Sequence, residues 1–166
     1  MQTLYVFDDK NYNPEWEKFS REAVRAVIIK DGLIAMVKSN KNGFYKFPGG
    51  GIEQSESHTD ALIRETLEET GLHIIPQSIK DLGMIQELRK DLYCDKIFDH
   101  KSYYYAEIEN NISNQNLDEY EKDLEYELIW IDIKTAYDTD IEINKNFSGT
   151  FLIREAYILQ YLLNNR

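Results

Sequence analysis

The chain has 166 residues, of which 42% are apolar and 13% aromatic, and its formal net charge is −11. These values predict a single globular domain over residues 1–166 with enough apolar side chains for a core. The negative charge argues against a nucleic-acid polymer as a partner, because phosphate backbones are bound by basic surfaces. A small phosphate ester stays compatible with it, since a bound divalent cation reverses the local charge.

The cysteine content and the N-terminal residues predict the cellular location of the protein. Cys94 is the only cysteine, so no disulfide forms within the chain, which fits a reducing compartment. Residues 1–18 lack the basic segment and the apolar run of a signal peptide. No stretch reaches the roughly 20 apolar residues that cross a bilayer. We therefore expect a cytoplasmic protein without a membrane partner.

Short strands are predicted along the first third of the chain. Residues 4–7 predict an edge strand within an N-terminal extension of residues 1–20. Residues 22–30 predict a buried strand, because apolar and β-branched side chains dominate there. Asp31-Gly32 predicts a tight hairpin turn into a return strand over residues 33–38.

The C-terminal half predicts further strands and one long helix. The strand segments are residues 73–75, 82–88, 102–109 and 125–132. Residues 110–123 are polar and predict a loop. Residues 148–164 predict a C-terminal helix with an apolar stripe that forms either part of the core or a homodimer interface. The stripe consists of Leu152, Ala156, Leu159 and Leu163.

The segment from residue 50 to residue 72, GGIEQSESHTDALIRETLEETGL, has the clearest chemical pattern. Glu65, Glu68 and Glu69 follow an i, i+3, i+4 spacing, which on a helix places three carboxylates on one arc. Clustered carboxylates repel each other, so a hard divalent cation is their natural partner. The glycine turn at residues 49–51 lies just upstream, where a bare backbone approaches something closely. Together these features predict phosphate chemistry.

The limits and the packing face of this helix are also predicted. Ser57 with Asp60 predicts the N-cap, and Gly71 predicts the left-handed residue after the last turn. The arc opposite the glutamates is predicted to pack against the core. It consists of Ile63, Thr66, Leu67 and Thr70.

The spacing of this segment resembles the Nudix box, G-x5-E-x7-R-E-U-x-E-E-x-G-U, where U is a bulky aliphatic residue. Every fixed position from Gly50 to Leu72 matches, and Thr66 is the one departure, at a U position that packs. The resemblance implies an α/β fold, a Nudix-like α/β/α sandwich with a central mixed β-sheet. It also implies hydrolysis of a nucleoside diphosphate linked to a moiety X, with Mg²⁺ or Mn²⁺ as cofactor.

The resemblance assigns roles to residues within the box. The implied metal ligands are the carboxylates of Glu65, Glu68 and Glu69 and the carbonyl of Gly49. The glutamates are thereby also the catalytic residues. Arg64 is implied to orient them, and Glu56 to hold the preceding loop. Gly50 and Gly71 are implied to serve the backbone geometry.

Residues outside the box complete the predicted site. Relatives place the general base either within the box or on a later loop, and we assign it to Glu125, which precedes the strand with Trp130. Glu127 and Glu107 are the competing choices. Cations that contact phosphate are predicted at Arg25, Lys38 and Lys46.

The substrate is predicted by elimination. The submotifs that mark coenzyme A, dinucleotide, ADP-ribose and diadenosine enzymes do not match, which favours a nucleoside triphosphate or modified nucleotide, hydrolysed to monophosphate and pyrophosphate. ADP-ribose or another nucleotide sugar is the alternative substrate. A non-catalytic nucleotide-sensing domain is a rival class, although such relatives usually lose box glutamates. An isoprenoid diphosphate isomerase needs a cysteine–glutamate pair, and Cys94 is isolated.

Overall fold

The computed structural model describes residues 1–106, 110–112, 115–146 and 150–165. Within these residues, short strands are interleaved with four α-helices. The strands are β1 (Thr3–Asp8), β2 (Lys18–Val27), β3 (Ile29–Lys30), β4 (Leu33–Ser39), β5 (Tyr45–Lys46), β6 (Leu72–Ile74), β7 (Lys80–Lys90), β8 (Ile97–Ala106), β9 (Asn110–Ile112) and β10 (Tyr126–Ile131). The helices are α1 (His58–Thr70), α2 (Glu119–Asp123), α3 (Ile133–Asn144) and α4 (Phe151–Asn164).

The strands form two main sheets. The larger sheet has the order β1-β7-β8-β2, with parallel pairs at both sides and an antiparallel pair in the middle, so it is a mixed sheet. The second sheet has the order β10-β4-β3, and β5 also pairs with β4. A hydrogen bond from the amide of Ala35 to the carbonyl of Ile28, at 2.9 Å, links the chain where it passes from one sheet to the other.

Apolar side chains pack on both sides of these strands. On one side, β2 and β4 pack against α1 through a buried cluster that includes Val24, Ala26, Ile28, Ala35, Ala61 and Leu62. On the other side, strands pack against α3 and α4 through a cluster that includes Val27, Met36, Ile85, Tyr104, Ile133 and Ile158. Helices therefore cover both faces of the strands, which confirms the α/β/α sandwich with its mixed sheet.

Several predicted elements match the structure closely. β1 forms an edge of the larger sheet, as expected for residues 4–7. Asp31 and Gly32 have φ angles of 51° and 83°, which suits the tight hairpin turn between β3 and β4. The predicted stripe on the C-terminal helix packs into the protein's own core at Leu152, Ala156 and Leu159. A homodimer stays a prediction.

Other predictions need correction. Residues 110–123 are not a continuous loop, because β9 pairs with β6 and α2 begins at a capping box formed by Asp118 and Glu121. The sequence analysis did not predict α3, whose N-cap is Asp132. The expected packing arc of α1 is right for Thr66 and Thr70, which are buried, but Ile63 and Leu67 are only half-buried, and Ala61 and Leu62 are fully buried as well. Within the described residues, no helix is long and apolar enough to cross a membrane.

Candidate active site

The glycine turn lies against the edge of β2. The amide of Val24 donates to the carbonyl of Gly50 at 2.9 Å, and the amide of Ala26 donates to the carbonyl of Pro48 at 2.8 Å. Gly49 has a φ angle of +131°, and a Cβ atom there would lie 2.2 Å from the Val24 carbonyl oxygen. A Cβ atom on Gly50 would lie 2.1 Å from Oε2 of Glu65. The turn therefore needs glycine at both positions to let strand and carboxylate approach so closely.

The box helix has the predicted limits. The Ser57 hydroxyl accepts a hydrogen bond from the amide of Asp60 at 3.1 Å, which caps the first turn. Gly71 ends the helix in the left-handed conformation, with φ 73°, and its amide donates to the carbonyl of Leu67 at 2.8 Å. Between these caps, Glu65 and Glu69 lie one turn apart and face the glycine turn.

Three carboxylates converge beside the turn. Oxygen atoms of Glu65, Glu69 and Glu121 lie within 4.8 Å of one another. Glu121 comes from α2, and the sequence analysis did not single it out. Burial raises the pKa of Glu121 to about 7, and the neighbouring Glu69 adds to that shift. Burial also raises the pKa of Glu65. Such crowding is relieved by a hard divalent cation, for which carboxylate oxygens are suitable ligands.

Glu69 is the most buried member of this acidic cluster, with 1% of its surface exposed. Its Oε2 accepts the amide hydrogen of Gly49 at 2.8 Å, and its Oε1 pairs with the ammonium group of Lys46. The same ammonium group lies 5.0 Å from the ring centroid of Tyr126. Lys46 therefore already supplies one positive charge to the cluster.

Two buried carboxylates place Lys46. The amide of Tyr45 donates to Oδ1 of Asp140 at 2.8 Å, and the amide of Phe47 donates to Oε2 of Glu155 at 2.7 Å. Burial raises the pKa of Asp140 to about 8. Asp140 lies on α3 and Glu155 on α4, so both helices hold the backbone on either side of Lys46.

Arg64 joins the box glutamates to the loop. Its Nε and Nη2 atoms donate to the two carboxylate oxygens of Glu56, each at 2.8 Å. Its Nη1 atom donates to Glu65 at 2.8 Å and to Glu68 at 3.3 Å, and Nη2 also reaches the carbonyl of Gly51 at 3.2 Å. These hydrogen bonds with Arg64 lower the pKa of Glu56 to about 2. Arg64 is thus placed to orient Glu65 while Glu56 anchors the guanidinium group.

Other predicted site residues lie elsewhere. The Glu68 side chain is 38% exposed and pairs with Arg64, outside the cluster of three carboxylates. Glu125 is exposed in the turn after α2, with φ 53°, and does not line the cavity described below. Glu127 is exposed and accepts a hydrogen bond from Asn40 at 3.0 Å. Lys38, half-buried on β4, does not line the cavity either. Glu107 lies outside the described residues.

The position of Glu121 has a signal in the sequence. Asp118 and Glu121 follow the spacing of a capping box, and the Asp118 side chain accepts the amide hydrogen of Glu121 at 2.8 Å. That pattern marks a helix start within the stretch that the sequence analysis interpreted as a loop. The short helix brings Glu121 to the box helix and leaves Glu125 beyond its end.

A cavity of about 640 Å³ connects the acidic cluster with the face of the larger sheet. Its lining includes four arginines, which are Arg21 and Arg25 of β2, Arg89 of β7 and Arg154 of α4. Of these, the sequence analysis selected only Arg25. The cavity thus combines a cluster of carboxylates with a cluster of guanidinium groups.

Curated relatives match part of the chain. ADP-ribose pyrophosphatase of Methanocaldococcus jannaschii is 38% identical over 72 residues, which is 42% of this chain and 41% of that protein. CTP pyrophosphohydrolase of Escherichia coli is 40% identical over 55 residues, 31% of this chain and 41% of that protein. The 8-oxo-dGTP diphosphatase of Proteus vulgaris is 40% identical over 45 residues, 27% of this chain and 40% of that protein. The matches span less than half the length of each relative.

Solved structures share the fold over a longer range. A Nudix hydrolase from Nitrosomonas europaea superposes with a TM-score of 0.59 at 18% identity, covering 89% of this chain and 92% of that one. The MutT protein from Bacillus halodurans superposes with a TM-score of 0.57 at 18% identity, covering 72% of each chain. The NUDIX domain model matches residues 19–150, which include the glycine turn, α1 and α2. The chain therefore belongs to the Nudix family.

Proposed function

We propose that this protein is a metal-dependent pyrophosphohydrolase that cleaves the phosphoric anhydride of a nucleoside diphosphate linked to a moiety X. The observation that carries the proposal is the convergence of Glu65, Glu69 and Glu121 within 4.8 Å beside the glycine turn. The names of the relatives support it, because those proteins are called pyrophosphatases, pyrophosphohydrolases and diphosphatases.

The acidic cluster fits a Mg²⁺ or Mn²⁺ cofactor. Glu65, Glu69 and Glu121 offer hard oxygen ligands, and the carbonyl of Gly49 is proposed as a further one. Glu68 stays a predicted ligand whose pairing with Arg64 holds it outside this cluster. When bound, the metal supplies charge neutralisation on the phosphates and lowers the pKa of a coordinated water.

The chain's own residues then position the substrate and move the proton. The bare backbone of the glycine turn lets a phosphate approach the cluster closely. Lys46 and Arg25 line the cavity and supply positive charge for phosphate oxygens. We assign the general base to Glu121 in place of Glu125, because the Glu121 carboxylate lies in the cavity beside Glu65 and Glu69, whereas Glu125 is exposed outside it.

The reaction is a substitution at phosphorus. The oxygen of water forms a bond to phosphorus, and the bridging anhydride bond breaks with its electron pair leaving on the departing phosphate. Glu121 takes one proton of the water. For a nucleoside triphosphate or modified nucleotide, which we propose as the substrate class, the products are monophosphate and pyrophosphate. ADP-ribose or another nucleotide sugar is the alternative, and a cytoplasmic location stays a prediction.

The rival classes have less support. A non-catalytic nucleotide-sensing domain has no need of a complete acidic cluster, yet all box glutamates are present and Arg64 holds Glu65 in place. An isomerase would need its cysteine in the site. Cys94 is instead exposed, with its Sγ atom 3.3 Å from Asp91 Oδ1, and it does not line the cavity.

The test compares two neighbouring glutamates of the box. The purified protein and the Glu69→Gln and Glu68→Gln variants are incubated with nucleoside triphosphates, oxidised nucleotides, ADP-ribose and dinucleotides, with and without Mg²⁺. We expect Glu69→Gln to lower turnover by about 1,000-fold, since it removes a ligand charge from the catalytic metal. The glutamine oxygen still accepts the Gly49 amide hydrogen, so the fold should survive.

The control variant Glu68→Gln should lose less activity, because Glu68 lies outside the cluster. Thermal unfolding of each variant shows whether the fold is intact. Unchanged turnover in a folded Glu69→Gln variant would contradict the metal assignment. Nucleotide binding without release of phosphate or pyrophosphate from any compound would favour the sensing domain.

A further inference from the structure

The four arginines of the cavity, here called the arginine cluster, come together through the register of the larger sheet. Residues two apart on a strand face the same side. Arg21 and Arg25 of β2 therefore share a face, and His100 of β8 is opposite Arg21 on that face. Glu87 of β7 is opposite His100, and Arg89 follows two residues later. Arg154 reaches this face from α4, since its Nη1 atom lies 3.3 Å from Glu87 Oε2.

The arginine cluster has more positive charge than its carboxylates neutralise. Glu87 pairs with Arg89 at 2.7 Å and with Arg154, and its Oε1 also accepts the Thr150 hydroxyl hydrogen at 2.7 Å. Arg25 Nε lies 3.9 Å from Glu155 Oε1. Four guanidinium groups thus face two carboxylates, in a chain whose net charge is −11. The excess positive charge is local to the arginine cluster, because the cavity as a whole is lined by five cations and five carboxylates.

Several donors of the arginine cluster lack an acceptor. Within the described part of the chain, the buried Nε atoms of Arg25 and Arg154 make no hydrogen bond. The Arg154 side chain is only 7% exposed, so water reaches it poorly. The side chain of Arg21 is exposed at the rim and makes no hydrogen bond or ion pair with another described side chain. Unpaired buried donors are costly, and they point to an anionic ligand that completes them.

His100 lies on the same face of the sheet as Arg21. Burial, followed by the charges of the surrounding arginines, lowers the pKa of His100 to about 2. Its Nε2 lies 2.9 Å from the Ser102 hydroxyl, and its Nδ1 has no partner among the described residues. A neutral imidazole at this position leaves the positive charge of the arginine cluster available to a ligand.

The arginine cluster begins one residue from the acidic cluster. A Cβ atom on Gly51 would lie 3.6 Å from Arg21 Nη2, whereas one on Gly50 would lie 2.1 Å from Glu65 Oε2. Consecutive Cα atoms are about 3.8 Å apart, so the guanidinium group and the carboxylate flank neighbouring residues of the same turn. The two clusters thus adjoin the same turn and line the same cavity.

We propose that the arginine cluster binds a terminal phosphate that lies beyond the hydrolysed anhydride, so that the enzyme selects substrates with a charged distal group. The inference rests on the proposed hydrolase function and deepens it. Guanidinium groups hold phosphate oxygens through paired, charge-assisted hydrogen bonds. A distal group without charge, such as the ribose of ADP-ribose, leaves those cations unpaired. The phosphate comes either from a nucleoside triphosphate or from a phosphorylated nucleotide sugar.

The test measures kcat/KM for two matched substrate pairs with Mg²⁺. dGTP is compared with dGDP, and ADP-ribose carrying a 1″-phosphate is compared with ADP-ribose. We expect the compound with the extra phosphate to be preferred at least tenfold in one pair, and that pair identifies the source of the phosphate. Arg21→Gln should remove most of this preference and leave dGDP or ADP-ribose within twofold. Arg21→Lys, which keeps the charge and loses the paired geometry, should restore part of it.

Lys134→Gln is the control variant, because Lys134 is an exposed cation of α3 that pairs with Asp138 and does not line the cavity. It should leave both ratios unchanged. Equal losses on both members of a pair in Arg21→Gln, or a wild-type enzyme without preference in either pair, would overturn the inference while leaving the hydrolase function intact.

A binding measurement separates the inference from the proposed function. Without metal, calorimetry should show that inorganic tripolyphosphate binds at least tenfold more weakly to Arg21→Gln than to the wild type. This result would support the arginine cluster even if no compound were hydrolysed, which would contradict only the hydrolase function. Equal affinities of the two proteins for tripolyphosphate would overturn the inference.

Discussion

The acidic cluster and the arginine cluster line the same cavity, but the chain assembles them in different ways. Two of the three carboxylates, Glu65 and Glu69, lie four residues apart on one helix, and only Glu121 comes from elsewhere. The arginines lie on two strands and one helix, spread from Arg21 to Arg154. Local spacing therefore builds most of one cluster, whereas sheet register and helix packing build the other.

The two clusters also differ in what completes them. In the acidic cluster, Lys46 and Arg64 already pair with two of the crowded carboxylates. A bound metal ion would add the remaining positive charge. The arginine cluster keeps unpaired donors on Arg25 and Arg154. We infer that the first cluster performs the chemistry common to the family and that the second selects the substrate.

After the loss expected for Glu69→Gln, the next largest effect is expected at the one carboxylate of the acidic cluster that does not come from the box. We expect Glu121→Gln to lower kcat by about 100-fold or more, since it removes the proposed general base, whose contribution is typically of that order. Glu125→Gln should stay within twofold, because Glu125 is exposed and does not line the cavity. Steady-state kinetics with the best substrate of the panel measures both variants.

A large loss in Glu125→Gln with little loss in Glu121→Gln would make Glu125 the general base. The helix α2 would then have only a structural role. Similar small effects in both variants would reduce the acidic cluster to the two glutamates of the box helix. In either case the two clusters would differ more clearly. The acidic cluster would then come from the box helix alone, whereas the arginine cluster comes from three distant elements.

An intermediate effect is expected from the glycine turn. Gly50→Ala should lower kcat/KM by roughly tenfold, since displacing a well-placed catalytic group by a fraction of an ångström has effects of this order or larger. The added methyl group would overlap Glu65 Oε2, at 2.1 Å, and push that carboxylate away. Gly51→Ala is the matched neighbour, because its methyl group would meet Arg21 Nη2 at an ordinary contact distance of 3.6 Å.

The Gly51→Ala variant should therefore keep most of its activity on a diphosphate substrate. If Gly50→Ala is as active as Gly51→Ala and folds equally well, the position of Glu65 is not critical. The close contact between Gly50 and Glu65 would then not be required for activity.

The same contrast explains how much the sequence predicted. The caps of α1 and the carboxylates it presents follow from local spacing, so Ser57, Glu65 and Glu69 were identified without a structure. The site residues beyond the box depend on contacts distant in sequence. Arg21 and Arg89 meet one face only because β2, β8 and β7 are in a particular register, which spacing along one strand does not reveal.

The choice of the late acidic residue depends on a similar cause. Glu121 and Glu125 are equally plausible in a polar stretch, and the difference between them depends on one short helix that packs beside the box helix. The unpredicted α3 matters as well, because its buried Asp140 holds the amide of Tyr45, next to Lys46. Patterns of apolar residues do not report such buried polar contacts.

The smallest expected effect is a pH dependence of stability that arises from the burial of His100 and from the arginines around it. The pKa of His100 is about 2 in the folded protein, against 6.5 for the ordinary side chain. Below pH 6.5 this histidine is protonated in the unfolded chain but stays neutral in the folded protein. The free energy of unfolding therefore falls as the pH falls. The contribution of His100 to the free energy of unfolding should therefore fall by up to about 1.4 kcal/mol for each pH unit. His100→Gln, which keeps a donor for Ser102, should remove that contribution.

Urea unfolding of both proteins between pH 7.5 and pH 5 measures the difference. The carboxylates that titrate in this range affect both proteins equally. The pH dependence of the difference between the two free energies of unfolding therefore comes from His100. The wild type should lose more stability than His100→Gln as the pH falls. Parallel curves would mean that His100 accepts a proton in the folded state despite its burial. Burial and the charges of the arginine cluster would then together disfavour the charged imidazole less than the structure indicates.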